Sequence, residues 1–188
     1  MAAPLNKNTK GVILLQTSEL LKTKPFSDIT LADIAAQSGI SKGTLYYYYS
    51  SKDDILFDIA DLHLNMLSDS LLQWAGNRQK DTSLPRLLKY TLERGVFNES
   101  GGLRLYLIGA AVSGHEQLRQ RLIEKYKYFR DTLAGLIKER CRDSDGVFEA
   151  WLLLTVMDGL LVQIQLGNEN FDAEDFIAKT AAMLCKNI

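Results

Sequence analysis

Four consecutive tyrosines, Tyr46 to Tyr49, lie in the stretch GISKGTLYYYYSSK (residues 39–52), between Lys42 and Lys52. A phenol offers a flat apolar ring that packs on thymine methyls or deoxyribose, and a hydroxyl that bonds a phosphate oxygen. The two lysines add the positive charge that attracts phosphates. The combination indicates a surface that contacts nucleic acid.

Two other interpretations of this stretch are open. Tyrosine favours strands, so the run could form a buried strand, and lysines alone are more often solvated surface. The flanking residues favour a helix instead, because Ser-Lys-Gly-Thr before the run and Ser-Ser-Lys-Asp after it are typical of helix starts. We therefore expect a short helix over residues 41–49.

A helix over residues 41–49 has two distinct sides at about 100° per residue. Leu45 and Tyr49 point the same way, which we expect to be inward, and Tyr47 points the opposite way. Gly43 keeps the helix thin near its start, where a recognition helix approaches a DNA groove. The remaining outward or flanking positions hold Thr44, Tyr46 and Tyr48.

Capping residues place this helix in a set of three. Thr30, with an acid three residues later, predicts a helix start of the capping-box type, and Gly39 predicts the end of that helix. Ser41 caps the tyrosine helix, and Ser51 predicts the start of the next. Free N–H groups at these starts can add phosphate contacts. Short helices joined by a glycine-containing turn predict a helix-turn-helix.

Apolar residues recur at helical spacing through the rest of the chain, without alternating strand patterns. We therefore predict an all-α fold of about nine helices. The last helix begins with Asp172 as N-cap, Asp175 three residues later, and a hydrophobic staple between Phe171 and Phe176. Besides the tyrosine helix, the predicted helices cover about residues 8–23, 30–39, 51–77, 84–97, 103–114, 115–142, 148–166 and 173–186.

The stretch ITLADIAAQSGISKGTLYYYYSSKDDILFDI (29–59) resembles the DNA-binding domain of the TetR family of bacterial transcriptional repressors. The resemblance rests on Ile-Ala before a short turn, then Gly-Ile-Ser, Thr-Leu-Tyr and the lysine that opens the next helix. It implies a helix-turn-helix DNA-binding domain over residues 1–52, with the motif at about 29–49. It also implies a helical-bundle domain for ligand sensing and dimerisation over residues 53–188.

The resemblance places the family's DNA-contact positions on the tyrosine helix and on the lysine that follows it. Tyr47 falls where an aromatic residue often touches the DNA backbone. Tyr48 stands where the family frequently has His, and Tyr49 where it usually has Phe, so a buried Tyr49 hydroxyl would need a partner. The predicted DNA-contacting residues are Thr30, Ser41, Lys42, Gly43, Thr44, Tyr46, Tyr47, Tyr48 and Lys52.

The resemblance further implies a homodimer formed through the last two helices. Residues 148–166 are apolar on nearly every face, which requires burial on more than one side, and the final helix carries an apolar stripe. These helices could form a four-helix bundle between two copies, or both could fill the core of one chain. The predicted interface residues are Trp151, Leu152, Thr155, Gly159, Gln163, Phe176, Ile177, Thr180 and Leu184.

A small-molecule pocket is expected among the middle helices, although for each candidate lining residue taken singly core packing is the commoner role. Asp158 lies inside an apolar run and needs a partner when buried. It could bind a cationic ligand, cap a neighbouring helix, or pair with Arg94 or Arg104. Trp74 is a further candidate. The predicted ligand-binding residues are His63, Tyr90, Phe97, Tyr106, Tyr126, Phe129, Met157 and Asp158.

Composition limits the other functions. The 188 residues carry a net charge of −1, so total charge indicates neither nucleic acid nor a membrane as partner. Cys141 and Cys185 form no CxxC pair, which fits a reducing cytoplasm. The apolar run 150–166 is interrupted by an aspartate, and we interpret it as a helix buried in protein.

Phosphate-loop and hydrolase motifs are absent by inspection, and His63 and His115 lack metal-ligand spacing. We expect no enzyme activity, cofactor, metal or membrane contact.

Together the motifs and the resemblance predict a cytoplasmic, homodimeric transcriptional repressor. It would bind palindromic double-stranded operator DNA and be released by a small-molecule effector. Three alternatives are open: a DNA-binding regulator that has no ligand or acts as an activator, a helical interaction module with a vestigial DNA-binding head, and a small helical enzyme or carrier.

Overall fold

The protein is described by a computed structural model that covers residues 8–98, 100–141 and 143–187. In these ranges it forms nine α-helices, one short 3-10 helix and no strand, so the predicted all-α fold is confirmed. Arg142, the predicted end of the seventh helix, lies outside the described residues. The helices are α1 (Thr9–Leu21), α2 (Leu31–Gln37), α3 (Lys42–Tyr48), α4 (Lys52–Ala75), α5 (Leu84–Val96), α6 (Gly101–Val112), α7 (Glu116–Lys138), α8 (Val147–Gln165) and α9 (Ala173–Asn187).

The chain divides into two compact units, Met1–Leu62 and His63–Ile188. The division falls inside α4, whereas the sequence places the boundary at the start of that helix, between residues 52 and 53. No proline or glycine occurs between Lys52 and Ala75, so α4 continues without a break. One helix therefore carries residues of both units. The 3-10 helix Phe26–Asp28, which the sequence does not predict, precedes α2.

Local hydrogen bonds define the start and end of α2 in the first unit. The Asp33 N–H donates to Thr30 Oγ1 (3.2 Å), and the Thr30 N–H donates to Asp33 Oδ2 (2.8 Å), which is the predicted capping box. The hydroxyl and N–H of Thr30, both bonded to the carboxylate, lower the pKa of Asp33. Gly39 has a φ of 65°, and the Ile40 N–H donates to Ala35 O (3.0 Å), which ends the helix.

The first unit has its own apolar core, and α4 begins there as predicted. Ser51 Oγ accepts a hydrogen bond from the Asp54 N–H (3.1 Å) and donates to its carboxylate (2.8 Å). Burial of the apolar side chains then holds the four helices together. The buried residues are Ile13, Leu14, Ile29, Ile34, Ala35, Leu45, Ile55, Leu56, Phe57, Ile59 and Ala60.

The second unit is built around α8, which packs against α5, α6, α7 and α9. Gly146 precedes α8 with a φ of 74°, and a Cβ at this position would lie 2.5 Å from Ala134 O of α7. Only glycine meets both requirements. Core residues of α8 are Ala150, Leu153, Leu154, Met157, Leu160 and Leu161.

By length and composition alone, α8 could cross a membrane, with a mean hydropathy of 1.7. The aspartate inside its apolar run therefore does not by itself exclude a membrane-spanning length and composition. A core helix of a soluble protein has the same property, and one face of α8 is packed in the core. The opposite face of α8 also carries apolar side chains, and these are exposed in the single chain.

The start of α9 has the predicted cap and staple. The Asp175 N–H donates to Asp172 Oδ1 (2.9 Å), and the rings of Phe171 and Phe176 lie 5.3 Å apart.

The predicted outward stripe of α9 needs correction. Ile177, Thr180 and Leu184 are buried inside the single chain, because this side of α9 packs against α5 and α8. They are therefore core residues and provide no free surface for a second copy. Phe176 remains exposed.

Candidate nucleic-acid interface and internal cavity

Helix α3 presents its tyrosines in the predicted orientation. Leu45 and Tyr49 are 0% and 5% exposed, whereas Tyr46 and Tyr47 are 57% and 73% exposed. Tyr48 is half-buried, and its ring meets that of Tyr47 edge to face at 5.2 Å. One tyrosine is thus a core residue, and the others form an aromatic surface on a short rigid helix.

The first turn of α3 is polar and open. Ser41 Oγ accepts from the Thr44 N–H (3.0 Å) and lies 2.9 Å from Thr44 Oγ1, so the two hydroxyls hold each other in place. Lys42 is exposed, and its ammonium has no partner among the residues that the structure describes. A Cβ on Gly43 would meet only Ser41 Oγ, at an ordinary 3.8 Å, so the fold itself does not require glycine there.

Two predicted DNA contacts are engaged inside the first unit. Lys52 Nζ donates to the carbonyls of Phe26 (3.1 Å), Ser27 (3.4 Å) and Ile29 (2.9 Å), and lies 4.3 Å from the Phe26 ring centroid. It therefore ties the start of α4 to the segment before α2. The Thr30 hydroxyl donates to Asp33 Oδ2 (2.7 Å). DNA contact by these two residues stays a prediction.

The buried Tyr49 hydroxyl has the partner that its position requires. It donates to Asp58 Oδ2 (2.9 Å), and Lys10 Nζ lies 2.7 Å from the same oxygen. Lys10 also lies 5.4 Å from the Tyr49 ring centroid. No sequence pattern indicates this cluster, because its members lie on α1, α4 and the end of α3 and share no local spacing.

The second unit contains a cavity among α4, α5, α6, α7 and α8. Of the predicted ligand-binding residues, Tyr126, Phe129 and Met157 line it. His63, Tyr90, Phe97, Tyr106 and Asp158 do not. The other lining residues, all missed by sequence reasoning, are Leu64, Leu67, Ser68, Leu71, Thr91, Arg94, Gly95, Arg104, Leu122, Lys125, Thr132, Leu133 and Leu154.

The predicted aromatic residues outside the cavity have other places. Tyr90 stacks on Trp74 with ring centroids 4.4 Å apart, and both line a second, more polar cleft with Lys80, Asp81, Arg86, Lys89 and Glu93. Phe97 and Tyr106 are exposed, and His63 is half-buried. Across the described ranges, no group of three or more His, Cys, Asp or Glu residues could hold a metal ion.

Asp158 forms an ion pair with Arg104, one of the two arginines that the sequence offers as its partner. Its carboxylate pairs with the Arg104 guanidinium of α6 and accepts a hydrogen bond from the Tyr126 hydroxyl of α7 (2.6 Å). The three side chains thus join α6, α7 and α8. Burial, more than any other cause, raises the pKa of Tyr126 to about 12. Arg94, the other candidate partner, lies over the Tyr90 ring instead.

The cavity wall contains two buried hydroxyl groups that the sequence does not predict. Ser68 of α4 and Thr91 of α5 are 3% and 6% exposed, and neither hydroxyl has a hydrogen-bond partner within the described part of the chain. Serine and threonine at helical spacing usually lie on a surface. No signal in the sequence distinguishes these two from surface residues.

The exposed face of α8 forms a continuous line, here called the α8 stripe. Among the predicted interface residues, Trp151, Thr155 and Gly159 lie on it, while Leu152 and Gln163 are half-buried beside it. Spacings of three and four residues place its members along one side of the helix. The α8 stripe consists of Phe148, Trp151, Thr155, Gly159, Val162 and Leu166.

Comparison with known proteins supports the interpretation of the first unit. Residues 13–59 match the model of the family described as bacterial regulatory proteins, tetR family. The regulator EthR of Mycobacterium tuberculosis is 33% identical over 101 residues, which is 54% of this chain and 45% of EthR. The chain thus aligns with about half the length of that relative. The nucleoid occlusion factor SlmA of Shewanella pealeana is 30% identical over 87% of this chain and 86% of its own.

Solved structures share the whole fold. A TetR transcription regulator from Haloarcula marismortui has a TM-score of 0.76 at 21% identity, over 97% of this chain and 99% of its own. A transcriptional regulator from Saccharomonospora viridis in complex with choline has a TM-score of 0.75 at 18% identity, over 96% and 97%. FadR from Bacillus subtilis in complex with stearoyl-CoA has a TM-score of 0.69 at 16% identity, over 95% and 98%. The α3 geometry, the matched family model and the long alignment to SlmA all agree. The chain belongs to the TetR family of transcriptional regulators.

Proposed function

We propose that the protein is a homodimeric repressor in the cytoplasm that binds a palindromic operator and is released by a small-molecule effector. The observation that carries the proposal is the surface of α3. Tyr46, Tyr47 and Lys42 extend from it around Gly43, and neither the core nor the hydrogen bonds of the fold require these side chains. We expect no catalytic activity.

The chemistry of α3 suits the DNA major groove. An exposed phenol can pack on a thymine methyl and bond a phosphate oxygen. The Thr44 methyl can also pack on a thymine methyl. Lys42 can neutralise one phosphate. Since one helix reads only a few base pairs, two copies of α3 about one helical turn (~34 Å) apart would read a palindrome.

The α8 stripe supports the dimer. Apolar side chains such as Phe148, Val162 and Leu166 are exposed on a helix whose opposite face is already buried. Thr155 and Gly159, between them, are small enough for a second helix to approach closely. A two-fold axis at this position would pack α8 of one copy against α8 of the other, and Phe176 is the predicted interface residue of α9 that is still exposed for this contact. Burying these side chains would also remove them from water, which favours association.

The internal cavity supports an effector. Solved structures in complex with choline and with stearoyl-CoA have the same fold, and this cavity has the mostly apolar wall with a few polar groups that is typical of ligand sites. Helix α4 begins in the first unit and contributes four of the lining residues. An effector releases DNA only if it binds the DNA-incompetent arrangement more tightly than the competent one.

Alanine substitution of Tyr47 tests the DNA-binding surface. Tyr47→Ala should lower affinity for a duplex selected by the wild-type protein by at least about tenfold, because an exposed contact to sugar or phosphate is lost. Tyr128→Ala, which removes an exposed tyrosine of α7, is the matched control. Equal affinity of both variants for the duplex, with unchanged oligomeric state, would contradict the proposal and favour a protein partner for α3.

The long alignment to SlmA favours a second candidate. It covers 87% of this chain, whereas the EthR alignment covers 54%. The protein could therefore serve at the nucleoid rather than at one promoter. Mapping of bound sites along the chromosome separates the two functions. One or a few sites beside promoters support the repressor, and many sites away from promoters support the nucleoid role.

A further inference from the structure

We propose that the cavity of the second unit binds amphipathic anions, meaning molecules with an apolar body and one acid group such as a carboxylate. The inference rests on the proposed function, since it names the chemical class of the effector. Three properties of the cavity wall support it: unpartnered buried hydroxyls, a surplus of positive charge, and an extensive apolar surface.

The hydroxyls of Ser68 and Thr91 need a partner that the fold does not supply. Both side chains line the cavity, both are more than nine-tenths buried, and neither hydroxyl is bonded to a described residue. A buried hydroxyl without a partner destabilises the folded state. A carboxylate offers two oxygens that accept hydrogen bonds from such groups. A ligand with an acid or carbonyl oxygen at this place would satisfy both.

The charges of the cavity wall favour an anion over a cation. Arg94, Arg104 and Lys125 line the cavity, and no Asp or Glu is among its described lining residues. The charge of Arg104 is matched by Asp158, and Lys125 Nζ donates to Asn65 Oδ1 (2.9 Å). Arg94 has no carboxylate partner in the described ranges, so it is the cation most available to a ligand.

On α5, Thr91 and Arg94 combine a buried hydroxyl with an exposed guanidinium in the wall of the cavity. They are three residues apart on the cavity side of the helix, which separates them by about 4.5 Å along the axis. Thr91 is buried, whereas Arg94 is exposed. An acid group near this pair can therefore reach a hydroxyl on the inner side and a guanidinium on the outer side.

The rest of the wall requires an apolar body. Leucines from α4, α7 and α8 surround the space, together with the Phe129 ring and the flexible Met157 side chain. A small polar acid would leave this surface in contact with water. A hydrocarbon chain or ring system would remove it from water, which supplies most of the affinity. The lining leucines are Leu64, Leu67, Leu71, Leu122, Leu133 and Leu154.

Three probes with the same dodecyl chain test the charge preference. Laurate carries a carboxylate, dodecanol is neutral, and dodecyltrimethylammonium is a cation. Calorimetric titration of the full chain, below the concentration at which each probe forms micelles, should give the tightest binding for laurate. We expect dodecanol to bind about tenfold more weakly, since it loses the charge-assisted hydrogen bonds. Binding of the cation as tight as that of laurate would overturn the proposal.

Matched variants test the groups in the wall. Ser68→Ala and Thr91→Val should each weaken laurate binding by about tenfold without lowering Tm, because the hydroxyls lack partners in the fold. Ser38→Ala removes another buried, unpartnered hydroxyl, located in the first unit, and should leave laurate binding unchanged. Wild-type laurate affinity in both cavity variants would contradict the role of the hydroxyls.

Arginine variants complete the test. Arg94→Gln should reduce the preference for laurate over dodecanol. Arg86→Gln, whose native side chain lies near Asp81 on the second cleft, should keep that preference. An unchanged preference in Arg94→Gln would overturn the assignment of the acid group to this arginine.

Separate readouts distinguish this proposal from the proposed function. Laurate binding that leaves the operator complex intact supports the ligand class but contradicts release by an effector. A protein that binds its operator and takes up none of the three probes retains the DNA-binding function, and the ligand class is then wrong.

Discussion

Individual residues of α3 serve either the fold or the outer surface. Leu45 and Tyr49 are buried, and the Tyr49 hydroxyl is bonded to Asp58. Tyr46 and Tyr47 extend into solvent. Substitutions in the first group should therefore lower stability, and those in the second should change DNA binding alone.

A substitution at Gly43 separates an effect on stability from an effect on DNA binding. Gly43→Ala adds a methyl that the protein accommodates, so the free energy of unfolding should stay constant or rise by up to about 1 kcal/mol. A methyl between α3 and DNA should weaken binding by about 1–3 kcal/mol through overpacking. Chemical denaturation and a binding titration measure the two effects. Gly109→Ala, at an equally open helical site in α6, is the control and should leave DNA binding unchanged. Unaltered DNA affinity in Gly43→Ala would show that DNA does not approach α3 at this point.

Lys42, the first residue of α3, and Lys52, the first residue of α4, should behave differently when substituted. Lys42→Gln should leave stability unchanged and reduce the salt dependence of DNA binding by about one charge. Lys52→Met should lower the free energy of unfolding by about 1 kcal/mol, because three backbone carbonyls lose their donor. Thermal unfolding and salt titrations of both variants test the contrast. A Lys52→Met protein as stable as the wild type, but defective in DNA binding, would identify Lys52 as a phosphate ligand only.

At the scale of elements, one polar cluster joins three helices of the second unit. Arg104, Tyr126 and Asp158 lie on α6, α7 and α8, and two of them bond the same carboxylate. Arg104 and Tyr126 also line the cavity. The cluster thus sets the spacing of helices that a ligand would contact.

Tyr126 should contribute to stability in a pH-dependent way. Its pKa is raised to about 12, above the ordinary value near 10 that the unfolded chain would have. The folded state therefore favours the neutral phenol, and its contribution is complete below pH ~10 and is lost as the pH rises toward ~12. The loss should be on the order of 2 kcal/mol. Denaturation of Tyr126→Phe at several alkaline pH values should give a shallower decline than the wild type; parallel curves would contradict the assignment.

The proposed dimer predicts how a charge on the α8 stripe acts. If the stripe is the dimer interface, Val162→Glu should give a monomer of unchanged helicity, because a carboxylate would be buried against the second copy without a partner. Ile123→Glu, at an exposed apolar residue of α7, is the control and should remain dimeric. Sedimentation measures the mass. If both variants keep the wild-type mass, the interface lies elsewhere.

Features set by neighbouring residues could be predicted from the sequence. The caps at Thr30, Ser51 and Asp172 act within three residues, and the side of α3 that carries Tyr47 follows from helical periodicity. Features set by packing between distant helices could not. The apolar stripe on α9 has the same sequence pattern whether it faces a second copy or α5, so the sequence alone does not predict that Ile177 is buried inside the single chain. The burial of Ser68 and Thr91 likewise depends on how α4 and α5 meet other helices.

At the scale of the molecule, the chain combines an exposed aromatic surface on α3, an exposed apolar stripe and a cavity. Helix α4 carries residues of both units, from Lys52 to the cavity residues Leu64, Leu67 and Leu71. Because binding free energies are linked, an effector that weakens DNA binding must itself bind more weakly to the DNA complex, by the same factor. Effector titrations with and without operator measure that factor.

Selection of bound sequences from a random duplex pool, followed by salt titration and mass determination of the complex, tests the proposed function most directly. The proposal predicts a palindromic motif with half-sites about ten base pairs apart, two chains per duplex, and a salt dependence of several charges. The contrary result is the absence of an enriched motif at moderate salt, or a motif without symmetry bound by one chain. Either would mean that paired α3 helices do not read an operator.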